Sequence, residues 1–288
     1  MMLNIKLLQP AKLDEAVALL AAESERAKII AGGTALVIML RNRLIAPATL
    51  ISLGRLQELR AIRHEPGIGL RIGALATVRE AEMSPVIREK NPTLAQAFGK
   101  VGNIRVRHAA TIGGNLSESD YASDPPCVLV ALRARVKARS ARGEREIQLT
   151  DLFRGFYETA LAPDEILTEL IVPDLAPGSH ATYLKFISRS SEDRPCVGMA
   201  LVIETERDGT CKDLRLVAGA VSETPQEIAA AEALARGKRL TDSLIAEIAD
   251  GYAAAIEPLS DLRGSGWYRK QIIAVLARRA LKQETASH

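Results

Sequence analysis

The spacing of apolar positions changes along this chain, and each change predicts a different element. Residues 13–22 (LDEAVALLAA) place apolar side chains at helical spacing among good helix formers, which predicts a helix. Residues 28–30 are a short apolar strand ending in Ala31-Gly32-Gly33-Thr34, and 35–44 then reads as helix. Residues 50–53 and 69–75 predict two more strands. Thr77-Val78-Arg79-Glu80 has the form of a capping box at the start of a short helix. Another helix follows Asn91-Pro92 and runs to Gly99, and residues 110–116 (ATIGGNL) make a second glycine turn. Asp124, ahead of Pro125 and Pro126, is expected to cap a helix over CVLVALRA. Arg133, Arg135, Lys137 and Arg139 alternate with Ala134, Val136 and Ala138. That period of two predicts a charged edge strand with a solvated basic face, in preference to a docking patch. Residues 165–172 (EILTELIV) predict a further strand before Pro173.

The stretch PDLAPGSH (173–180) is the clearest boundary and divides the chain into 1–175 and 176–288. Beyond it, 183–187, 197–204 and 214–221 predict consecutive strands of an antiparallel sheet, followed by helices over 224–236, 242–256 and 267–282. The expected architecture is an α/β domain followed by a smaller α+β domain.

Composition narrows the chemistry. The chain has 288 residues, 47% of them apolar, enough for a sizeable core, and a net charge of +3 that points to neither nucleic acid nor a membrane surface. Aromatics at 3% argue against base-stacking platforms. No apolar run approaches about 18 residues, so no transmembrane segment is expected. The acidic residues among the first 25 lack a signal-peptide pattern, which predicts a cytoplasmic protein. The three cysteines, Cys127, Cys196 and Cys211, are scattered, and the four histidines lack metal-ligand spacing. A [2Fe–2S] cluster takes about four protein ligands, so this chain is not expected to hold one alone.

The two glycine turns are the strongest candidate chemistry. AGGTAL (31–36) and TIGGNL (111–116) each put adjacent glycines beside a hydroxyl or amide residue. Glycines permit positive φ, and such a turn can present consecutive backbone N–H groups to an anion. Two of them could grip the two phosphates of a dinucleotide, or be tight turns with no ligand. Neither matches the GxGxxG or P-loop pattern.

Ala31-Gly32-Gly33-Thr34, then Thr111-Ile112-Gly113-Gly114-Asn115, then Asp124-Pro125 resemble, in that order, the FAD-binding subunit of molybdenum hydroxylases, the xanthine dehydrogenase and aerobic carbon monoxide dehydrogenase family. Ser260 to Ser265, Trp267-Tyr268-Arg269 and Leu276 to Leu281 resemble the end of that family's C-terminal flavoprotein domain. The resemblance runs from about residue 5 to 282 and is nearest to the separate medium subunit. It implies a first FAD loop of Lys28, Ile30, Ala31, Gly32, Gly33, Thr34, Ala35 and Leu36, with Gly32, Gly33 and Thr34 on the pyrophosphate. Thr111, Ile112, Gly113, Gly114 and Asn115 would form the second loop, its N–H groups and polar side chains on phosphates and flavin. Asp124 would meet the adenosine portion, Leu167 would lie against the ligand, and Lys185 would stand near the flavin. Arg194 falls where the family often places Tyr or Ile over the flavin, and is expected to stack on the ring, touch its edge, or point to solvent.

The resemblance further implies electron transfer without a catalytic residue in this chain. FAD would take electrons from two [2Fe–2S] clusters of a small subunit, which drain a molybdenum–pterin centre in a large subunit. The assembly implied is a dimer of heterotrimers, a heterohexamer in the cytoplasm whose closest approach to the membrane is through the complex at its inner face. Substrate (carbon monoxide, an aldehyde, a purine or an N-heterocycle) and acceptor (quinone, cytochrome, oxygen or NAD) stay open. The hydroxybenzoyl-CoA reductase branch, with its cysteine-rich insertion, is set aside because three scattered cysteines do not supply its cluster. Two alternatives stand beside this one: a stand-alone FAD oxidoreductase, and a scaffold subunit with a decayed flavin site.

Overall fold

The computed structural model describes residues 5–23 and 26–285. The chain begins with a small parallel layer: β1 (Lys6–Leu8), α1 (Leu13–Glu23), β2 (Ala27–Ile30), α2 (Leu36–Arg41) and β3 (Thr49–Ser52), with strand order β1-β3-β2. Helix α1 turns Ala16, Val17 and Leu20 inward onto Ile51 and Leu56, as its spacing predicts. Helix α2 is shorter than the expected 35–44. Arg43 takes a left-handed φ of 56°, which ends the helix, and α2 buries none of its residues.

A five-stranded antiparallel sheet follows. It is built from β4 (Ile62–Glu65), β5 (Gly69–Gly73) and, after six helices, β6 (Arg135–Ser140), β7 (Gly143–Gln148) and β10 (Ile166–Val172), in the order β4-β5-β10-β6-β7. A four-residue helix α9 (Leu149–Leu152) and the small hairpin β8 (Phe153–Gly155) with β9 (Glu158–Thr159) precede β10. Strand β6 is therefore not an edge strand: it lies between β10 and β7. Its basic face is neutralised by Arg135–Glu146, Lys137–Glu144 and Arg139–Asp14 ion pairs. Arg133 lies outside the strand at φ 55° and pairs with Glu227.

The six helices are α3 (Val78–Met83), α4 (Pro85–Lys90), α5 (Pro92–Gly99), α6 (Ile104–Ala109), α7 (Ile112–Glu118) and α8 (Asp124–Ala131). Their brevity follows from closely spaced caps. Thr77 and Glu80 form the expected capping box, and Ser84, Asn91, Asn103 and Thr111 each accept an N–H from the first turn of the next helix. Leu94, Phe98, Ile112, Leu116 and Leu129 then pack with Leu70, Ile72, Val136 and Leu170 of the sheet in one core.

The last unit is an antiparallel sheet, β11 (Ser179–Phe186), β12 (Val197–Thr205), β13 (Cys211–Gly219) and β14 (Gln226–Glu227), with α10 (Ala229–Ala233), α11 (Asp242–Ala255) and α12 (Gly266–Thr285). The helix expected over 224–236 is instead strand β14 and the five-residue α10, because Gln226 and Glu227 pair with Ala218 and Val217. Residues 197–203 of β12 are all buried. Alternate residues explain it: Met199, Leu201 and Ile203 join the core of α11 and α12, while Ala200 and Val202 join the core of the preceding unit. Helix α8, buried along its whole length, fills the seam between them. There the Cys127 thiol donates to the Val217 carbonyl at 3.1 Å, and a Cβ on Gly219 would lie 2.8 Å from Cys127 Cβ.

Candidate cofactor site

Strand β2 delivers the chain to Gly32 and Gly33 at the end of the small parallel layer. Gly33 has φ 70°, a conformation that L side chains rarely adopt. Gly32 is needed for a different reason. A Cβ there would lie 1.8 Å from the Ala109 carbonyl oxygen, so this turn presses directly on the α6–α7 junction. The two glycine segments, far apart in sequence, meet at this point. The backbone N–H groups of Gly32, Gly33, Thr34, Ala35 and Leu36 donate to no acceptor within the described residues; the first internal bond is Val37 N–H to Gly33 O at 3.0 Å. A run of donors left over by the fold is what an anion can satisfy. Ile30 lies beneath Gly33, while Lys28 points outward from β2. Ala31, Thr34, Ala35 and Leu36 are half-buried.

The second segment is built differently from the first. It follows helix α6 rather than a strand, and neither Gly113 nor Gly114 has positive φ. Its N–H groups are also already used. Ile112 donates to Ala76 O, Gly113 to Ala74 O, Gly114 to Thr111 Oγ1 and Asn115 to Thr111 O, at 2.8–3.1 Å. The expectation that this turn presents free backbone donors is corrected: it is the capped start of α7. Gly113 is required by packing, since a Cβ would stand 2.7 Å from Ala74 Cβ. Asn115 exchanges hydrogen bonds with the Ser123 hydroxyl at 2.8 and 3.1 Å.

Asp124 does not cap α8. Ser123 holds that position without a side-chain cap, and Asp124 is the first helical residue. Its carboxylate faces β11 instead, accepting the Tyr183 hydroxyl at 2.7 Å and the Lys185 ammonium at 3.0 Å. The Asp124 and Lys185 side chains are 4% and 6% exposed, so this is a buried pair across the seam, not a solvated strand lysine. Burial pushes the Asp124 carboxyl above its ordinary range, opposed by Lys185 and by the Tyr183 hydroxyl. Lys185 also donates to the Lys100 carbonyl at 2.8 Å.

Leu167 is a buried residue of β10 within the main core. Arg194 Nε is 2.5 Å from Asp120, with half its side chain exposed. Its guanidinium is thereby committed to the α7–α8 turn, where Asp120 also accepts the Ala122 N–H at 3.1 Å. Beside them, burial and the Asp120 charge push the Glu118 carboxyl up to about 7.

Sequence reading missed Tyr183, Lys100 and a second contact across the seam. In that contact the Tyr121 hydroxyl and the Arg263 and Arg269 guanidinium groups converge on Asp261. Lys100 gives no sequence signal, being a single lysine at the end of α5. Arg269 and Asp261 were visible only as parts of a tail motif.

Comparison with known proteins shows what the chain as a whole is similar to. Residues 3–175 match the family model described as FAD binding domain in molybdopterin dehydrogenase, and residues 182–284 match CO dehydrogenase flavoprotein C-terminal domain. The chain is 33% identical over 260 residues to a glyceraldehyde dehydrogenase medium chain of Sulfolobus acidocaldarius, covering 90% of this chain and 91% of that one. It is 31% identical to the carbon monoxide dehydrogenase medium chain of Hydrogenophaga pseudoflava, covering 94% of each. Among solved structures, carbon monoxide dehydrogenase from Hydrogenophaga pseudoflava superposes with TM-score 0.93 at 32% identity over 98% of both chains. Quinoline 2-oxidoreductase from Pseudomonas putida 86 gives 0.91 at 29% identity, covering 97% of this chain and 96% of that one.

Proposed function

This chain belongs to the FAD-binding, medium-subunit family of molybdopterin dehydrogenases, and we propose that within such a complex it is the flavin relay. In this reading FAD takes electrons from [2Fe–2S] clusters of a small partner subunit, which drain a molybdenum–pterin centre in a large one. It passes them to an external acceptor. The assembly proposed is a dimer of these heterotrimers in the cytoplasm.

The observation that carries the reading is the row of N–H groups from Gly32 to Leu36 left without acceptors among the described residues. A pyrophosphate supplies acceptors to such a row, so the residues present fit the dinucleotide. Gly32, Gly33 and Thr34 would hold the pyrophosphate, with Lys28, Ile30, Ala31, Ala35 and Leu36 shaping the loop around it. The segment Thr111, Ile112, Gly113, Gly114 and Asn115 would form the opposite wall, contributing surface and the Asn115 amide rather than backbone donors. Asp124 and Lys185 would face the ligand from the seam, Leu167 would back it, and Arg194 would sit at the edge of the flavin end. Residues 1–175 would carry the cradle and 176–288 would close over it.

Bound FAD supplies two-electron redox chemistry that no side chain of this protein provides. The chain's own work is to bind and orient. The free N–H row holds negative charge without a titratable group, and the seam fixes the Lys185 ammonium between Asp124 and the Lys100 carbonyl. A fixed cation in a water-poor seam stabilises negative charge nearby more strongly than in solvent.

Purification of the native complex tests the reading. Expected are one FAD per copy of this chain, with copurifying large and small subunits. A chain that purifies alone, colourless and active contradicts it.

A further inference from the structure

Four residues at the seam form a closed circuit through their side chains and two main-chain carbonyls. The Lys185 ammonium donates to the Lys100 carbonyl at 2.8 Å and to Asp124 Oδ2 at 3.0 Å. Tyr183 donates its hydroxyl to Asp124 Oδ1 at 2.7 Å. The Lys100 ammonium closes the ring on the Tyr183 carbonyl at 3.3 Å and lies 5.2 Å from the centre of the Tyr183 ring. Lys100 and Asp124 come from the first unit, Tyr183 and Lys185 from β11 of the second. The circuit holds two ammonium groups and one carboxylate. Tyr183 stays neutral, because burial and the Asp124 charge push its hydroxyl far above its ordinary range.

We infer that Lys100 is a positioning residue of the flavin site: its ammonium holds the Tyr183 carbonyl, two residues before Lys185, and leaves the seam one positive charge in excess, matched to the negative charge that flavin acquires on reduction. The inference rests on the reading that this chain holds FAD. Three observations support it. Asp124 has one Oδ on each of Tyr183 and Lys185, so its single charge is spent within the circuit. Burial and the nearby Lys185 charge work against the Lys100 ammonium, while Asp124 sustains it, so the second cation is held at a cost that a salt-bridged surface lysine would not bear. Lys185, at 6% side-chain exposure, is held by Asp124 and the main-chain carbonyl of Lys100, and the Lys100 side chain in turn fixes the β11 backbone at Tyr183, two residues away.

The test uses the assembled complex with Lys100→Met, Lys100→Gln and Lys100→Arg. Three quantities are read: the flavin midpoint potential by spectroelectrochemical titration, the affinity of the FAD-stripped complex for oxidised FAD, and the melting temperature. At the wild-type midpoint potential, Lys100→Met and Lys100→Gln are expected to lower the ratio of reduced to oxidised flavin about tenfold, the size expected for losing one nearby charge in a partly shielded site. Affinity for oxidised FAD is expected to change less than about threefold, because the oxidised ring carries no such charge. Lys100→Arg is expected to restore most of the ratio. Lys100→Gln keeps a donor for the Tyr183 carbonyl and so reports on charge even if Lys100→Met folds poorly. Folded, FAD-loaded variants with an unchanged ratio overturn the inference, as does an equal loss in Lys100→Gln and Lys100→Arg. A wild-type complex without FAD would instead overturn the functional reading itself.

Discussion

Lys185 and Asp124 meet at 3.0 Å across the seam between the two units, each almost wholly buried. Lys185→Met is expected to destabilise the protein by roughly 3–5 kcal/mol, because it leaves the Asp124 carboxylate buried without its cation. Adding Asp124→Asn to that variant is expected to recover much of the loss, since the orphaned charge goes with it. Chemical denaturation of Lys185→Met, Asp124→Asn and the double variant checks this; strictly additive losses would mean that the two groups are not coupled.

Gly32 and Gly33 do different work and should fail differently. Gly32→Ala sets a Cβ within 1.8 Å of the Ala109 carbonyl oxygen and is expected to cost at least about 3 kcal/mol while driving the two glycine segments apart. Gly33→Ala faces only its φ of 70° and a Val37 methyl at 3.2 Å, and is expected to cost about 1–2 kcal/mol. The ratio of FAD to protein should fall sharply in the first and mildly in the second; the reverse order would place the cradle elsewhere.

Asp261 gives the seam its acid sensitivity. Burial pushes its carboxyl up, but the Arg263 N–H, the Tyr121 hydroxyl and the Arg269 guanidinium outweigh that and hold it at about 2, against 3.8 for an ordinary aspartate. A depressed folded value stabilises above the unfolded pKa and is lost as pH falls through the folded one. The contribution, roughly 2 kcal/mol, is therefore full above about pH 4 and gone near pH 2. Asp261→Asn is expected to be less stable than wild type by about that amount at pH 7, and the difference should vanish near pH 2. A constant difference across that range would show that Asp261 is not the titrating group.

Glu118 works in the opposite direction. Burial and the Asp120 charge raise it to about 7, so its ionisation costs stability progressively as pH climbs from about 4.5 to 7. Glu118→Gln is expected to raise the melting temperature at pH 8, by an amount equivalent to about 2 kcal/mol, and to leave it nearly unchanged at pH 4. Calorimetry at the two pH values decides it.

Much of this fold was legible because periodicity and caps act locally. The helices α1, α11 and α12, the strands β2, β5, β10 and β12, and the Thr77–Glu80 capping box lie close to where spacing and cap residues put them. The misjudged features depend on contacts distant in sequence. Strand β6 reads as an edge because its charges alternate, yet β7 supplies the acids that neutralise them. Asp124 reads as a cap because it precedes two prolines, yet Tyr183 and Lys185 claim it from across the seam. The TIGGN segment looks like its AGGT counterpart, but of the two turns, among the described residues, the AGGT one keeps free N–H groups, because Ala74, Ala76 and Thr111 accept those of the second. Lys100 could not be found at all without β11 packed against it.

Rapid mixing of the assembled complex with its reducing substrate tests the flavin-relay account most directly. The iron–sulfur absorbance is predicted to bleach before or together with the FAD band, and this chain alone with its FAD is predicted to stay oxidised in the same substrate. Reduction of the isolated flavoprotein by substrate at the rate seen in the complex would contradict the account.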